Sequence, residues 1–397
     1  VTRFRHGHAT HPQWPMALEM ALAQVQGSIG EDDGPDAPTL GFVYLSDRYG
    51  ADLPAIVSLL RERTGIAHWT GAVASSICAN GVEYDGEPAL ALMVAALAPD
   101  SFQVFSGRLR PPPGSEPAPD GSTRSHTALV HADPGLPDLT ELIQELSGRT
   151  ASGFLFGALT SGDSPAFTQV ADEAITGGLS GVMFSSSVRV LSRVTQGCSP
   201  LAGEHVISAC RDHFLEQLDG RPALDVLLED LGVRLPARSA EDGQAILKAL
   251  PAERLRQGLF VGLAAGGAGR RPGFGDYLVR NVVGIDPHNR LLAVADVPAE
   301  GDRVVFCTRD RDAARRDLVR IVSELRDEVE EEGLAIRGAL YHSCVARGGA
   351  LFGTAGEELE TIRHHLGDVP LVGMYGSGEI AGDRIYGYTG VLSLFVA

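Results

Sequence analysis

Arg347 is followed by Gly348 and Gly349 in a long glycine-rich loop that opens at Cys344 and closes at Gly353. A guanidinium fork can hold a carboxylate or phosphate through two N–H···O bonds, and neighbouring glycines let the backbone approach the same anion. Further on, Ser377-Gly378-Glu379 offers a hydroxyl, a bare backbone and a carboxylate. With Arg347 and Glu379 across one crevice, the pair would match the carboxylate and ammonium of a zwitterion. On that reading Arg347→Ala weakens binding and leaves the melting temperature of the free protein alone. Arg280-Asn281 interrupts an apolar run, where a charge needs a carboxylate or a ligand. Ser75 and Asn80, in a stretch with Ser76 and Cys78, and Ser161 with Asp163 follow apolar strands in the same way. The binding candidates are therefore Cys344, Arg347, Gly348, Ser377, Gly378, Glu379, Arg280, Asn281, Ser75 and Asn80.

Covalent chemistry has less to stand on. His342 and Cys344 are two apart and share a strand face, so a Cys–His nucleophile pair for acyl or peptide transfer is an alternative. No third group to orient the histidine and no oxyanion site can be named, and Cys198 reads as a buried turn cysteine. The chain has no His-Glu-x-x-His, no phosphate-binding Walker loop and no dinucleotide fingerprint; Gly262 to Gly269 follows a strand but leads into no helix. A binding protein is expected rather than an enzyme, and no metal site.

Three stretches of one plan must position these groups. Each is an apolar strand, a loop, an amphipathic helix and a second strand that opens with Gly and carries Ser four residues on: Gly71 to Ser75, Gly157 to Ser161 and Gly373 to Ser377. The helices carry apolar stripes at Leu53, Ile56, Val57 and Leu60; at Leu139, Leu142, Ile143 and Leu146; and at Leu359, Ile362 and Leu366. The interval from stripe to Gly is the same in the first two. The third has the longer loop, Cys344 to Gly353, and long glycine-rich loops in compact domains are more often functional than idle.

Composition sets the limits. The 397 residues suffice for two or three cores. With 51 Asp+Glu against 33 Lys+Arg the net charge is −18, and no basic stripe is present, so nucleic acid is not an expected partner. No apolar run reaches membrane-spanning length and no apolar leader is seen, so membrane insertion and export are not expected. Five scattered cysteines without a Cys-x-x-Cys argue against disulfides and structural zinc and fit a reducing cytoplasm.

Along the chain, residues 27–38 and 110–122 read as loops. Ala223 to Leu250 reads as helical, with the domain boundary beside it, and four strands follow before the longest helix, Arg311 to Glu332. The expected fold is α/β: two domains of mixed sheets with flanking helices, containing internally repeated β-α-β-β units.

The chain resembles the FIST family, a bacterial sensory module with N- and C-terminal halves. The residues that carry the likeness are Gly7-His8-Ala9 with Trp14; Gln196-Gly197-Cys198-Ser199-Pro200; Gly275 to Asn281; Arg309-Asp310; Ser343-Cys344 with Arg347-Gly348; and Gly376 to Ile380. The resemblance implies a FIST-N-like domain at 1–220 and a FIST-C-like domain at 221–397. It implies a cytoplasmic receptor for an amino acid or related metabolite, acting through a separate partner such as a histidine kinase or other signalling protein. Some similar proteins bind haem and sense nitric oxide. Covalent haem is excluded by the lack of Cys-x-x-Cys-His; non-covalent haem on one histidine stands as the alternative cofactor, with His68, His205 and His342 in or near apolar strands but no axial ligand singled out.

Overall fold

The computed structural model describes residues 4–27, 37–107, 125–163, 168–234, 243–251, 258–264 and 277–397. The loop at 110–122, most of that at 27–38 and the end of the Gly262 to Gly269 run lie outside them. The chain forms two compact units, Val1–Thr195 with Arg315–Ala397, and Gln196–Ala314. The second is an insertion into the first, because two sheets of the first unit take strands from both sides of it.

Among the described residues, the first unit holds three six-stranded sheets. One runs β1 (Phe4–Thr10), β6 (Ala89–Ala95), β2 (Leu40–Ser46), β3 (His68–Ala74), β10 (Gln169–Ala171), β11 (Glu173–Ile175). The next runs β7 (Phe102–Phe105), β12 (Leu179–Phe184), β8 (Thr127–Ala132), β9 (Phe154–Leu159), β24 (Glu379–Ala381), β25 (Arg384–Tyr386). The last runs β13 (Arg189–Gln196), β26 (Thr389–Val396), β22 (Ile336–Cys344), β23 (Leu371–Gly376), β4 (Ser76–Ala79), β5 (Val82–Asp85). All three therefore share one order: an edge strand, a strand antiparallel to the next, a parallel pair, and a hairpin. The parallel pairs β2–β3, β8–β9 and β22–β23 are joined through helices Leu53–Thr64, Leu139–Gly148 and Glu357–Leu366. The hairpins are exchanged in a cycle. The one that follows β3 in the chain pairs with β23, the one after β23 with β9, and the one after β9 with β3.

Strands β2, β6, β8, β23 and β26 are buried along their whole length. They lie mid-sheet with both faces covered, which is why they read as unbroken apolar runs instead of alternating. Gly71, Gly157 and Gly373 sit opposite Val43, Val130 and Tyr341 in the three parallel pairs. A Cβ there would lie 1.7, 1.9 and 1.7 Å from the carbonyl oxygens of those residues, so no larger residue fits. Helix Leu53–Thr64 starts with Pro near its N-terminus and stops at Gly65 in the left-handed conformation, φ 70°. Its stripe Leu53, Ile56, Val57 and Leu60 is buried as expected. In Leu139–Gly148 the expected Leu142 is exposed, and Ser147 is buried with Ile143 and Leu146. The Cys344–Gly353 segment is not a plain loop: Gly348–Phe352 forms a short helix.

The second unit departs from the mixed sheets of the first. Its strands are β14 (Cys198–Pro200), β15 (His205–Arg211), β16 (Phe214–Leu218), β17 (Arg221–Pro222), β18 (Leu259–Ala264), β19 (Leu278–Asp286), β20 (Leu291–Val294) and β21 (Arg303–Arg309). The order β21-β15-β16-β20-β19-β18 closes on itself through β18–β21, and every pairing in that ring is antiparallel. The short connections from β15 to β16 and from β19 to β20 suit antiparallel hairpins. Leu224, Val226 and Leu227 of helix Ala223–Asp230 pack against this ring's core. Among the described residues, no helix is long and apolar enough to cross a membrane.

Candidate functional site

Alternate residues of β2, β8 and β22 point to the centre of the first unit. Phe42, Leu129 and Leu340 share its apolar core. Two residues further along each strand stand Tyr44, His131 and His342, all fully buried. The ring centroids are 5.6, 5.7 and 5.8 Å apart, a nearly equilateral triangle. The Tyr44 hydroxyl lies 3.1 Å from His131 Nε2 and 2.9 Å from His342 Nε2. One hydroxyl has a single proton, so it donates to one ring and accepts N–H from the other. Hence one neutral imidazole carries its remaining proton on Nδ1 and the other has a bare Nδ1. Both Nδ1 atoms are buried without a hydrogen-bond partner. Burial pushes the His131 pKa down to about 3 and, with the neighbouring His131, holds His342 well below the usual range. Tyr44→Phe should destabilise the protein by about 1–3 kcal/mol for each ring nitrogen left unpaired, read as a lower urea midpoint at pH 7.

The carboxyl ends of β3, β9 and β23 meet at a junction of serines. Ser75 N donates to Ser161 Oγ (3.1 Å), the two hydroxyls are 3.3 Å apart, and Ser161 Oγ donates to the Tyr375 carbonyl (2.5 Å). Ser377 Oγ donates to the Thr160 carbonyl at 2.9 Å. Ser75 and Ser161 are half-buried and Ser377 is exposed, so the junction is open to solvent on the Ser377 side.

Beside it lies a buried charged cluster. Arg347 Nε and Nη2 donate to Glu358 Oε1 at 2.8 and 2.6 Å, with both side chains fully buried. Tyr341 and Ser343 donate to the same carboxylate, and the Arg347 guanidinium lies 5.4 Å over the Phe352 ring. Arg347 is therefore held in an internal ion pair with Glu358, not set across a crevice from Glu379 for a zwitterion. The reason is local: helix Glu357–Leu366 carries Glu358 and Leu359 on its buried side, which brings a carboxylate under the Gly348–Phe352 turn. Gly348 has φ 52°, and a Cβ on it would lie 2.4 Å from Glu83 Oε1. Glu83 accepts the amides of Gly349 and Gly356.

Glu379 is fully buried. Its Oε2 accepts Thr389 N and Thr389 Oγ1 at 3.2 and 2.6 Å, while Oε1 has no partner. Burial pushes its pKa up to about 8 against the opposing Thr389 hydrogen bonds. Cys344 is also buried, and burial together with the nearby Glu379 pushes its thiol up to about 12. A thiol so rarely ionised at neutral pH is a poor nucleophile.

The remaining candidates stand elsewhere. Asn80 and Gly81, with φ of 43° and 92°, form the two-residue turn of hairpin β4–β5. The Asn80 amide reaches Leu371, at the start of β23, whereas Ser377 follows that strand's end. Asn80 is thus a turn residue rather than part of the serine junction. Arg280 and Asn281 belong to β19 of the second unit, where Arg280 Nε donates to Asp296 at 2.9 Å. Cys198 is buried on β14, and with Cys307 and Tyr277 it borders a cavity of about 210 Å³. Of the histidines, His205 has Nδ1 on Asp219 and Nε2 on Asp230, His68 has Nδ1 on Asp172, and His342 is sealed in the core. His205 has no free ring nitrogen and His342 no access, so neither fits an axial haem ligand as arranged. Among the described residues, no three metal-ligating side chains cluster.

Two determinants escaped sequence reasoning. Glu358 reads as an ordinary acidic residue of a helix first turn; its spacing of four from Ile362 was the available sign that it joins the buried stripe. His131 gave no such sign: only the strand pairing shows that Tyr44, His131 and His342 each directly follow the residue opposite the glycines Gly71, Gly157 and Gly373.

Comparison with known proteins agrees with the resemblance. Residues 39–221 match the FIST N domain and residues 223–382 the FIST C domain. An uncharacterised protein of Mycobacterium tuberculosis strain H37Rv is 29% identical over 393 residues, covering 96% of this chain and 97% of its own. An uncharacterised protein of Mycobacterium bovis is 29% identical over 391 residues, covering 95% of each. The two domain matches together take in most of the chain, which therefore belongs to the FIST family of signal-transduction sensory domains.

Proposed function

We propose that the first unit is built from three copies of one β-α-β-β unit, and that a small amine-bearing metabolite, an amino acid or a relative, binds where their parallel strands end. The common strand order and the cyclic exchange of hairpins support the first part. One observation carries the second: Glu379 Oε1 is a buried carboxylate oxygen without a partner, next to the serine junction. An ammonium group supplies the hydrogen bond that atom lacks and offsets the cost of ionising it. Ser75, Ser377, the Gly378 backbone and Cys344 complete the proposed contacts, and Arg347 with Gly348 shapes the wall from behind. The signal passes to a separate partner, a histidine kinase or another signalling protein. The lack of an activated nucleophile at Cys344 favours binding over catalysis.

Free Glu379, with its pKa near 8, is mostly protonated at pH 7. Pairing with an ammonium expels that proton, so affinity should fall about tenfold per pH unit below 8. Thermal-shift screening of the amino acids, followed by calorimetric titration of any that bind between pH 6 and 8, tests this. Glu379→Gln should weaken binding and flatten its pH dependence. If the variant binds as well as the parent with the same pH profile, the ligand does not sit on Glu379.

A further inference from the structure

The geometry points to a second binding site at the opposite end of β22, fitted to a small apolar monocarboxylate, with Arg337 as its anion-holding group. Arg337 lies at the amino end of β22, about 23 Å along the strand from Cys344. The pairing of β22 with β26 slips between Ile336 and Gly338, so Arg337 is the extra residue of a β-bulge. Bulges turn a side chain out of the regular pleat and recur beside functional sites.

The side chain borders a cavity of about 180 Å³. Its Nε is buried without a hydrogen-bond partner. The other lining cation, Arg189, is engaged by Glu332. None of the described lining residues has an acidic side chain, in a chain of net charge −18. A buried guanidinium nitrogen with nothing to donate to is costly unless an anion completes it.

Apart from Ser101 and Ser187, the remaining side chains of the lining are apolar. Phe4 and Phe395 form one wall, with ring centroids 5.0 Å apart, and Leu97 and Val188 contribute to the lining. Gly338 allows this wall, since a Cβ there would lie 2.5 Å from the Phe4 ring. Ala397, which also lines the cavity, is held by reciprocal backbone hydrogen bonds with Ala335. A cavity of roughly 150 Å³ accepts a benzene ring, so this one accommodates one ring with a carboxylate directed at Arg337.

Benzoate is the probe, titrated calorimetrically into the full chain at pH 7. Benzyl alcohol (the ring without the charge) and inorganic phosphate (charge without the ring) are the controls. Benzoate should bind one equivalent with a dissociation constant of about 1 mM or tighter, and each control should bind at least about tenfold more weakly. Arg337→Gln should weaken benzoate by about ten- to a hundredfold. Ala98→Phe, which fills the exposed mouth without touching the core, should abolish binding and serves if the Arg337 variant does not fold. Absence of benzoate binding, equal binding by a folded Arg337→Gln or by Ala98→Phe, or phosphate binding as tight as benzoate would each overturn the assignment.

Discussion

Arg347→Ala will lower the folding free energy by about 3–5 kcal/mol in the absence of any ligand. The substitution leaves Glu358 fully buried with its cation gone, and only Tyr341 and Ser343 still donating to it. Removing one partner of a buried pair costs far more than removing both, because the surviving charge keeps its desolvation penalty. The double variant Arg347→Met with Glu358→Leu should therefore be more stable than Arg347→Ala alone. Urea unfolding of the three proteins at pH 7 is the measurement. An unchanged midpoint for Arg347→Ala would mean that Arg347 is free to serve a ligand, as the sequence by itself suggested.

Acid will destabilise the first unit through its central histidines. His131 titrates near 6.5 when unfolded and near 3 in the folded protein. Between these values the unfolded chain binds the proton and the folded chain does not. The stability due to neutral His131 is thus complete above pH 6.5 and is lost as pH falls towards 3. At about 1.4 kcal/mol per pH unit the loss approaches 5 kcal/mol. His342 is displaced in the same direction and adds to it. Carboxylates also titrate in this range, so the test is a comparison: His131→Leu should lose less stability than the parent between pH 7 and pH 4. Parallel stability-versus-pH curves for the two proteins would show that His131 is not buried neutral.

Local windows of sequence held most of the elements. The stripe Leu53, Ile56, Val57 and Leu60, the helix Arg311–Glu331 and the strand β22 were all legible from periodicity and apolar runs, because a helix or mid-sheet strand advertises its covered faces in its own residues. The hairpin turn at Asn80-Gly81 was not read from the sequence, where Asn80 stood as a binding candidate. The motifs spread along the chain were also enough to indicate the FIST family.

Tertiary structure alone decided which groups meet. Tyr44 reaches His131 across 87 positions and His342 across 298, a meeting set by three sheet registers and by the way the sheets close round one core. The exchange of hairpins between sheets is likewise invisible locally, since each hairpin satisfies its ladder bonds on a strand far from it in the chain. Arg347 had 51 acidic residues to choose from. Composition could say that a buried guanidinium needs one of them, but only the packing of helix Glu357–Leu366 selected Glu358 and left Glu379 with an oxygen unpaired. Periodicity is a property of neighbouring residues, whereas the pairing of buried charges depends on distances that exist only once the chain has folded.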